Sequence, residues 1–594
     1  MQQSTSWRLT APLRWASGHF RRIVRGTVPP APVQRGSYAD WAALYDSPGA
    51  DAYAGMGREV DAWPVRPRLS VLLPFRGDDG ALLCEKIASI QSQIYGAWEL
   101  HIVHEGAADS QVKALLHGFG QADARIKHGS AGALGTSLSG DWVVWLEPGC
   151  TVRAHTLFCI AKEVVEHPEA RMIYADEDRI DAQGARCCPS FKPDWNIDLF
   201  LSGNLFSPLG AVQASLFDAA GGLLAGVAEG WGQDLALRCV ERVEAGRIRH
   251  IPRVLCHGDG APPSDEARRA GVRALDRHFE RAGVAAKTEA APCGYRVRYA
   301  LPAPLPLVSL IIPTRNAVGL VRQCIESIVL ETAYPNYEIL LVDNGSDDPE
   351  ALAYFASLDA QPGITVIRDD RPFNYSALNN AAVAQARGEL IGLLNNDIEV
   401  ISSDWLGEMV SLALQPGVGA VGAKLLYPDM TIQHGGVVLG IGGMAGHAHK
   451  HLPASVAGHG GRAQLVQNFS AVTAACLIVR KSLYEQVGGL DEEQLGVAYN
   501  DVDFCLRLRE AGYRNVWTPY AELLHHESAS RGLEVAAESR DRLARESAFM
   551  RGRWASLIAR DPAYNPNLTL DTEDFDLAWP PRDTRSAADP TPHP

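Results

Sequence analysis

Apolar runs and polar breaks alternate along most of this chain. "LVSLIIP" (307–313) is a continuous apolar run of the buried-strand kind, "VRQCIESIVLET" (321–332) has helical spacing, and "YEILLVD" (337–343) is a second strand. "SALNNAAVAQARG" (376–388) follows as a helix stopped by glycine, and "LIGLLNNDIEV" (390–400) as a strand running into a polar turn. Strands and helices of these lengths in alternation predict an α/β domain with a mostly parallel sheet covered by helices on both faces.

The same pattern occurs twice. "RLSVLLPFRG" (68–77) parallels "LVSLIIPTRN" (307–316), and "WELHIVHEG" (98–106) parallels "YEILLVDNG" (337–345). Ser309 lies 239 residues after Ser70, and Asp343 lies 239 residues after His104, so the register is kept. "WVVWLEPGCTV" (142–152) then parallels "LIGLLNNDIEV", each preceded by a Gly-acidic pair, Gly140-Asp141 and Gly388-Glu389. "GWGQDLALR" (230–238) parallels "YNDVDFCLR" (499–507). This is a duplicated unit of about 230 residues, a size suited to one α/β domain. The division predicted is a basic arm and lead-in segment over 1–65, a first domain over 66–300, a second over 301–575 and a disordered tail over 576–594.

Composition narrows the class. The 594 residues are 46% hydrophobic and 21% charged, ordinary for folded α/β domains, and the formal net charge of −15 argues against a nucleic-acid partner. Eleven cysteines without a CxxC pair read as reduced thiols rather than a disulfide framework. No signal peptide or transmembrane run is expected, which points to a cytoplasmic protein. Residues 1–35 contain six arginines and no acid. They read equally as a basic amphipathic helix resting on an anionic membrane surface, giving peripheral contact at its inner face, or as a loose arm.

In sheets of this kind ligands sit beyond the carboxyl ends of the strands. Those ends carry Thr314-Arg315-Asn316, Asp343-Asn344 and Asn395-Asn396-Asp397. Asn395 and Asp397 offer oxygen ligands at alternate positions, a pattern suited to a hard divalent cation that bridges phosphates. Asp343 suits a hydrogen bond to a base or ribose. His447, His449 and His451 alternate within a Gly- and His-rich segment, which reads as a solvated mobile loop more readily than as a metal site.

The ordered set "VSLIIPTRN", "LLVDNGS", "FNYSALNN", "GLLNNDIEV", "QHGGVVLG", "NFSAVTAACLIVR", "NDVDFCLRLREAGYRNVWTP" and "HHESASRG" resembles bacterial family 2 glycosyltransferases with a GT-A fold. It is most similar to the large two-domain O-antigen or rhamnosyltransferase-like members, over about Ser309 to Gly532. The resemblance implies two tandem GT-A-like, Rossmann-like nucleotide-binding domains and a metal-dependent, inverting transfer of sugar from a nucleotide-sugar donor. The acceptor would be a saccharide or lipid-linked saccharide in cell-surface polysaccharide synthesis. It implies that Pro313, Thr314, Arg315 and Asp343 lie at the nucleotide and Asn380 at the diphosphate. Asn395 and Asp397 would hold Mg or Mn together with His525, or else His526. Asp501 would be the catalytic base, with Asp503 its competitor.

Carried onto the first copy, these roles fall on His104, Gly132, Glu147, Gly149 and Gly232. Base recognition, diphosphate contact, metal binding and the base are all replaced together, so the first domain reads as a degenerate GT-A-like unit that supports folding, binds acceptor or docks a partner. Two other readings stand beside glycosyl transfer: a metal-dependent sugar nucleotidyltransferase, and a non-catalytic polysaccharide-binding protein.

Overall fold

The computed structural model describes residues 36–75, 80–104, 110–130, 138–147, 149–223, 230–258, 264–526 and 537–582. The basic arm lies outside them. In the first half the strands are β1 (Leu69–Phe75), β2 (Trp98–His104), β3 (Ile126–Gly129), β4 (Trp142–Leu146), β5 (Cys150–Val152), β6 (Met172–Ile180), β7 (Arg186–Ser190), β8 (Leu209–Gln213) and β9 (Ile248–Gly258). A hairpin of β10 (Ala286–Ala291) and β11 (Gly294–Tyr299) leads to the second half. There follow β12 (Val308–Thr314), β13 (Tyr337–Asp343), β14 (Ile364–Arg368), β15 (Leu390–Leu394), β16 (Ile398–Val400) and β17 (Val418–Leu426). Four short strands come next, β18 (Ile432–His434), β19 (Val437–Leu439), β20 (Ala445–His447) and β21 (Gln467–Phe469), and then β22 (Cys476–Arg480) and β23 (Arg514–His525).

The two sheets have one order. The first runs β3-β2-β1-β4-β8-β6-β9-β5 and the second β14-β13-β12-β15-β22-β17-β23-β16, strand for strand the same. The chain is therefore two tandem α/β domains, as the internal repeat implies. The sheets are mixed, however, and the expectation of a mostly parallel sheet is corrected. β1 is parallel to β2 and β4, but β4 is antiparallel to β8, β8 to β6, and β5 to β9. Parallel neighbours need a crossover of a dozen residues or more, usually a helix. Between β6 and β8 the only helix is the six-residue Ile197–Ser202, and the chain returns antiparallel.

Alternate strand residues face opposite cores. In the second domain Ile311, Leu340, Ile391 and Leu393 join one buried cluster, while Leu310, Ile312, Leu341 and Leu394 join the other. The Gly-acidic pairs are explained by one polar device used twice. Ser70 Oγ donates to Glu99 (2.6 Å) and accepts from Gly140 N (2.9 Å). Ser309 Oγ donates to Glu338 (2.6 Å) and accepts from Gly388 N (2.8 Å). A β-carbon on either glycine would lie 2.6 Å from a serine backbone nitrogen, so only glycine fits.

The halves are joined by buried polar contacts. Asn196 and Asn468 exchange side-chain and backbone hydrogen bonds of 2.9 Å, Arg514 Nε pairs with Asp198 at 2.6 Å, and Asn565 Nδ2 donates to Asp176 (2.9 Å) and to the Lys192 carbonyl (2.8 Å). The lead-in helix Tyr38–Tyr45 closes the join: Tyr38 OH donates to Asp178 and Trp41 Nε1 to the Ala578 carbonyl (2.8 Å). Residues 576–582 are thus packed rather than a disordered tail, with Ala578 buried; 583–594 lie outside the described residues. All eleven cysteines are free thiols. Among the described residues no helix is long and apolar enough to cross a membrane.

Candidate active site

Three strand ends of the second domain meet through hydrogen bonds. Thr314 is in register with Asp343, and its carbonyl accepts from Asn344 N at 2.8 Å. Its hydroxyl accepts from Asn396 Nδ2 at 2.9 Å, which links β12 to the turn after β15. Asp343 is buried; Oδ1 accepts from Ser346 N (2.9 Å) and Oδ2 from the Arg368 guanidinium (2.6 Å). Pro313 is half-buried beside them, and Arg315 points into solvent.

Pairing of β16 with β23 sets His525 opposite Ile398 and so beside Asp397. His525 Nε2 lies 3.2 Å from Asp397 Oδ1 and 3.3 Å from the Asn395 side-chain amide. Both Asp397 and His525 are buried. His526 turns away: its Nε2 pairs with Glu399 at 2.9 Å. Half a turn of the Asn395 amide presents Oδ1 at the point where Nδ2 now meets the ring. The donor set is then one carboxylate, one imidazole and one amide oxygen, which fits a divalent cation with phosphate and water completing its shell.

Asp501 is the second residue of the helix Asn500–Glu510. Its Oδ2 accepts from Ala474 N (3.0 Å), its Oδ1 from Val502 N (2.8 Å), and the Thr473 side chain bonds it as well. The Ala475 carbonyl accepts from Asn395 N at 3.1 Å, so this carboxylate stands one residue from the turn that carries Asn395 and Asp397. Burial pushes the Asp501 carboxyl above the usual aspartate range against those hydrogen bonds. Asp503 is differently placed. It is fully buried, pairs with Arg507 at 2.7 Å and accepts from Trp554 Nε1 at 2.9 Å.

Asn380 does not join this group. Its Oδ1 accepts from Tyr484 OH (2.6 Å) and Leu490 N (3.0 Å), and its Nδ2 donates to the Leu490 carbonyl and Glu492. Both ends of the amide hold the 484–492 segment, which leaves it no free donor for a diphosphate. The Gly- and His-rich segment is also corrected, because it is packed and not a solvated loop. His449 is buried and stacks on Phe575 with centroids 4.2 Å apart, while His451 stacks on Tyr427 at 5.2 Å. His447 Nδ1 instead meets His434 Nδ1 at 2.8 Å, so the three rings diverge. His434 was not singled out from sequence. It is buried, accepts from Thr473 N (3.4 Å), and is held neutral by burial with His447 and His525 nearby. Its place in "QHGGVVLG", a motif without an assigned role, was the available signal.

The first domain holds different residues at the same positions. By strand register Asn395, Asp397 and His525 correspond to Glu147, Gly149 and Gly258. Phe75 pairs with His104 as Thr314 pairs with Asp343. Gly232 is the second residue of its helix, as Asp501 is of the other. Gly132 falls outside the described residues. The pocket is filled as well as stripped: a β-carbon on Gly232 would lie 3.1 Å from Trp145 Nε1 and 3.2 Å from Glu147 Oε1. Trp145 is wholly buried and owes its place to Gly210, whose added β-carbon would fall 2.2 Å from the ring.

Residues 309–488 match the family model described as Glycosyl transferase family 2. Over 536 residues the chain is 43% identical to the uncharacterized protein y4gI of Sinorhizobium fredii, covering 86% of this chain and 59% of that one. Over 594 residues it is 37% identical to the O-antigen biosynthesis protein RfbC of Myxococcus xanthus, covering 95% and 45%. The chain thus spans about half the length of these two relatives. It is 26% identical over 230 residues to the N-acetylglucosaminyl-diphospho-decaprenol L-rhamnosyltransferase of Mycobacterium tuberculosis, covering 36% and 73%. The family-model match takes in Asp343, Asn395 and Asp397 and ends before the helix of Asp501, so residues 309–488 carry a glycosyl transferase family 2 domain.

Proposed function

We propose that the second domain transfers a sugar from a nucleotide-sugar donor to a saccharide or lipid-linked saccharide acceptor with inversion, in the synthesis of a cell-surface polysaccharide such as O-antigen. The observation that carries this reading is the gathering of Asn395, Asp397, His525 and Asp501 in one domain, while Glu147, Gly149, Gly258 and Gly232 hold the same places in the other. The relatives named for O-antigen synthesis and rhamnosyl transfer support the same reading.

In this mechanism Asp343, with Thr314, Pro313 and Arg315 alongside, orients the nucleoside at the ends of β12 and β13. Asn395, Asp397 and His525 hold a divalent cation, Mg or Mn, which when bound neutralises charge on the departing diphosphate. Asp501 takes the proton of the acceptor hydroxyl as its oxygen bonds to the anomeric carbon. The bond from that carbon to the diphosphate breaks on the opposite side, nucleoside diphosphate leaves, and the configuration inverts. Partial burial makes Asp501 more basic than a surface aspartate, which suits it to this task. The first domain supplies scaffold and the buried join at Asn196, Asp198 and Asp176, and not a second transfer site. We place the protein in the cytoplasm, with the basic arm as its route to peripheral membrane contact.

The test is a screen of UDP-, GDP- and dTDP-sugars for Mn- or Mg-dependent protection against thermal unfolding, followed by assay of nucleoside diphosphate release. Release of pyrophosphate from a nucleoside triphosphate and a sugar phosphate would replace this reading with nucleotidyl transfer.

A further inference from the structure

Tyr499 precedes the helix Asn500–Glu510 with φ +60° and ψ +8°, in the left-handed region that a β-carbon disfavours. Its counterpart in the first domain, Gly230, has nearly the same conformation, φ +67° and ψ +13°. One backbone kink is thus made with glycine where the chemistry is absent and with tyrosine two residues before Asp501.

The surroundings differ in the same sense. In the first domain the helix Asp265–Ala282 covers the kink, and a β-carbon on Gly230 would lie 3.1 Å from Ala270 Cβ. In the second domain the helix Ala537–Ala559 meets the preceding backbone through Glu546, which accepts from Val497 N (3.0 Å) and Ala498 N (3.1 Å). The phenol of Tyr499 remains partly exposed. Its side chain packs in part against the core, and no hydrogen bond joins its hydroxyl to any described residue. A strained, partly exposed tyrosine persists where its side chain has work that glycine cannot do.

We propose that Tyr499 is an acceptor-contacting residue, its ring stacking on the C–H face of the saccharide whose hydroxyl Asp501 deprotonates. This rests on the glycosyltransferase reading. A pyranose has an apolar face and a hydroxyl edge, which match the apolar body and polar tip of tyrosine. The first domain, with glycine there and a helix above it, has closed the corresponding approach.

The experiment uses the full chain, a donor found in the nucleotide-sugar screen, and methyl glycosides of rhamnose, mannose, glucose and galactose as acceptors with Mn. Tyr499→Gly and Tyr499→Asn both accept left-handed backbone. They are expected to raise the acceptor KM about tenfold, the scale of one stacked ring, and to leave the donor KM within about twofold. Tyr499→Phe keeps the ring and stays close to the parent. An unchanged acceptor KM in either ring-deleted variant overturns the inference. So does an equal loss of donor and acceptor affinity with a lowered melting temperature, which would make the ring a packing residue. Should Tyr499→Gly not fold, Tyr499→Asn and Tyr499→Phe give the same comparison. A parent that shows no metal-dependent donor binding refutes the underlying reading itself, a result distinct from any of these.

Discussion

His525 Nε2 stands 3.2 Å from Asp397 Oδ1, while the adjacent His526 faces Glu399. Two neighbouring histidines at the end of β23 alternate sides, and the pairing of β23 with β16 decides which one enters the site. His525→Ala and Asp397→Ala are each expected to abolish the Mn-dependent rise in melting temperature given by the donor nucleotide, whereas His526→Ala keeps it. Thermal unfolding with nucleotide, with and without Mn, reads this directly; retention in His525→Ala would remove that ring from the metal set.

Asp501 and Asp503 are separated by the duplication itself. Asp234–Arg238 (2.8 Å) in the first domain repeats Asp503–Arg507 (2.7 Å) in the second, but Gly232 replaces Asp501. The ion pair recurs in both domains, so Asp503 belongs to the fold, and the proposed base is Asp501. Asp501→Asn should fold, bind donor and lose about 10²–10⁴-fold in turnover. Asp503→Asn leaves Arg507 facing a neutral partner in the interior and should cost about 3–5 kcal/mol of stability. Denaturant unfolding beside steady-state kinetics distinguishes the two, and near-parental turnover in Asp501→Asn would end its assignment as base.

Burial raises the Asp501 carboxyl, and the sign of the pH dependence follows. Below the raised value the group is protonated and cannot accept the acceptor's proton, so transfer falls as pH falls through it. In stability the same shift acts the other way: the folded state binds this proton more readily than the unfolded chain, and stability is lost as pH rises through that window. The acid limb of kcat/KM is expected above about pH 3.9, the value of an unperturbed aspartate. A limb at or below it would show that Asp501 does not control the step.

The repeat and the polar strand ends were legible in sequence, because each is local: a run of apolar residues, a turn, a motif. The sequence also sets Asp501 apart from Asp503, since "GWGQDLALR" keeps the counterpart of Asp503 and not that of Asp501. Pairing direction was not legible. β4 and β8 are 63 residues apart at their closest, and their antiparallel pairing is set by the long connection between them rather than by either strand's own sequence. Nor was the burial of His449, which depends on Phe575, far along the chain. Asn380 lay in a motif yet spends its amide on Tyr484 and Leu490, a role no motif records.

Gly388 and Gly140 make a prediction about folding alone. Each sits against a serine that bridges two neighbouring strands, with a would-be β-carbon 2.6 Å from backbone nitrogen. Backbone on both sides cannot yield as a side chain can. Gly388→Ala and Gly140→Ala should each destabilise by about 1–3 kcal/mol, the usual cost of overpacking. Equal costs in calorimetry would confirm one device used twice; a neutral Gly140→Ala would show that the first domain no longer depends on it.

Restoring the lost carboxylate should not restore the reaction. Gly232→Asp puts a β-carbon 3.1 Å from Trp145 Nε1 and 3.2 Å from Glu147 Oε1, inside a pocket already filled by the Trp145 ring. The new carboxylate would face Glu147, whose own carboxyl is pushed up by burial and by nearby Glu177. Two acids in one dry site cannot both ionise without cost. Gly149 and Gly258 stand in place of Asp397 and His525, so neither of those two side-chain donors has a counterpart here. Gly232→Asp should therefore lower the melting temperature and add no turnover to a chain already carrying Asp501→Asn. Transfer regained in that double variant would show the first domain to be a dormant transferase and not a scaffold.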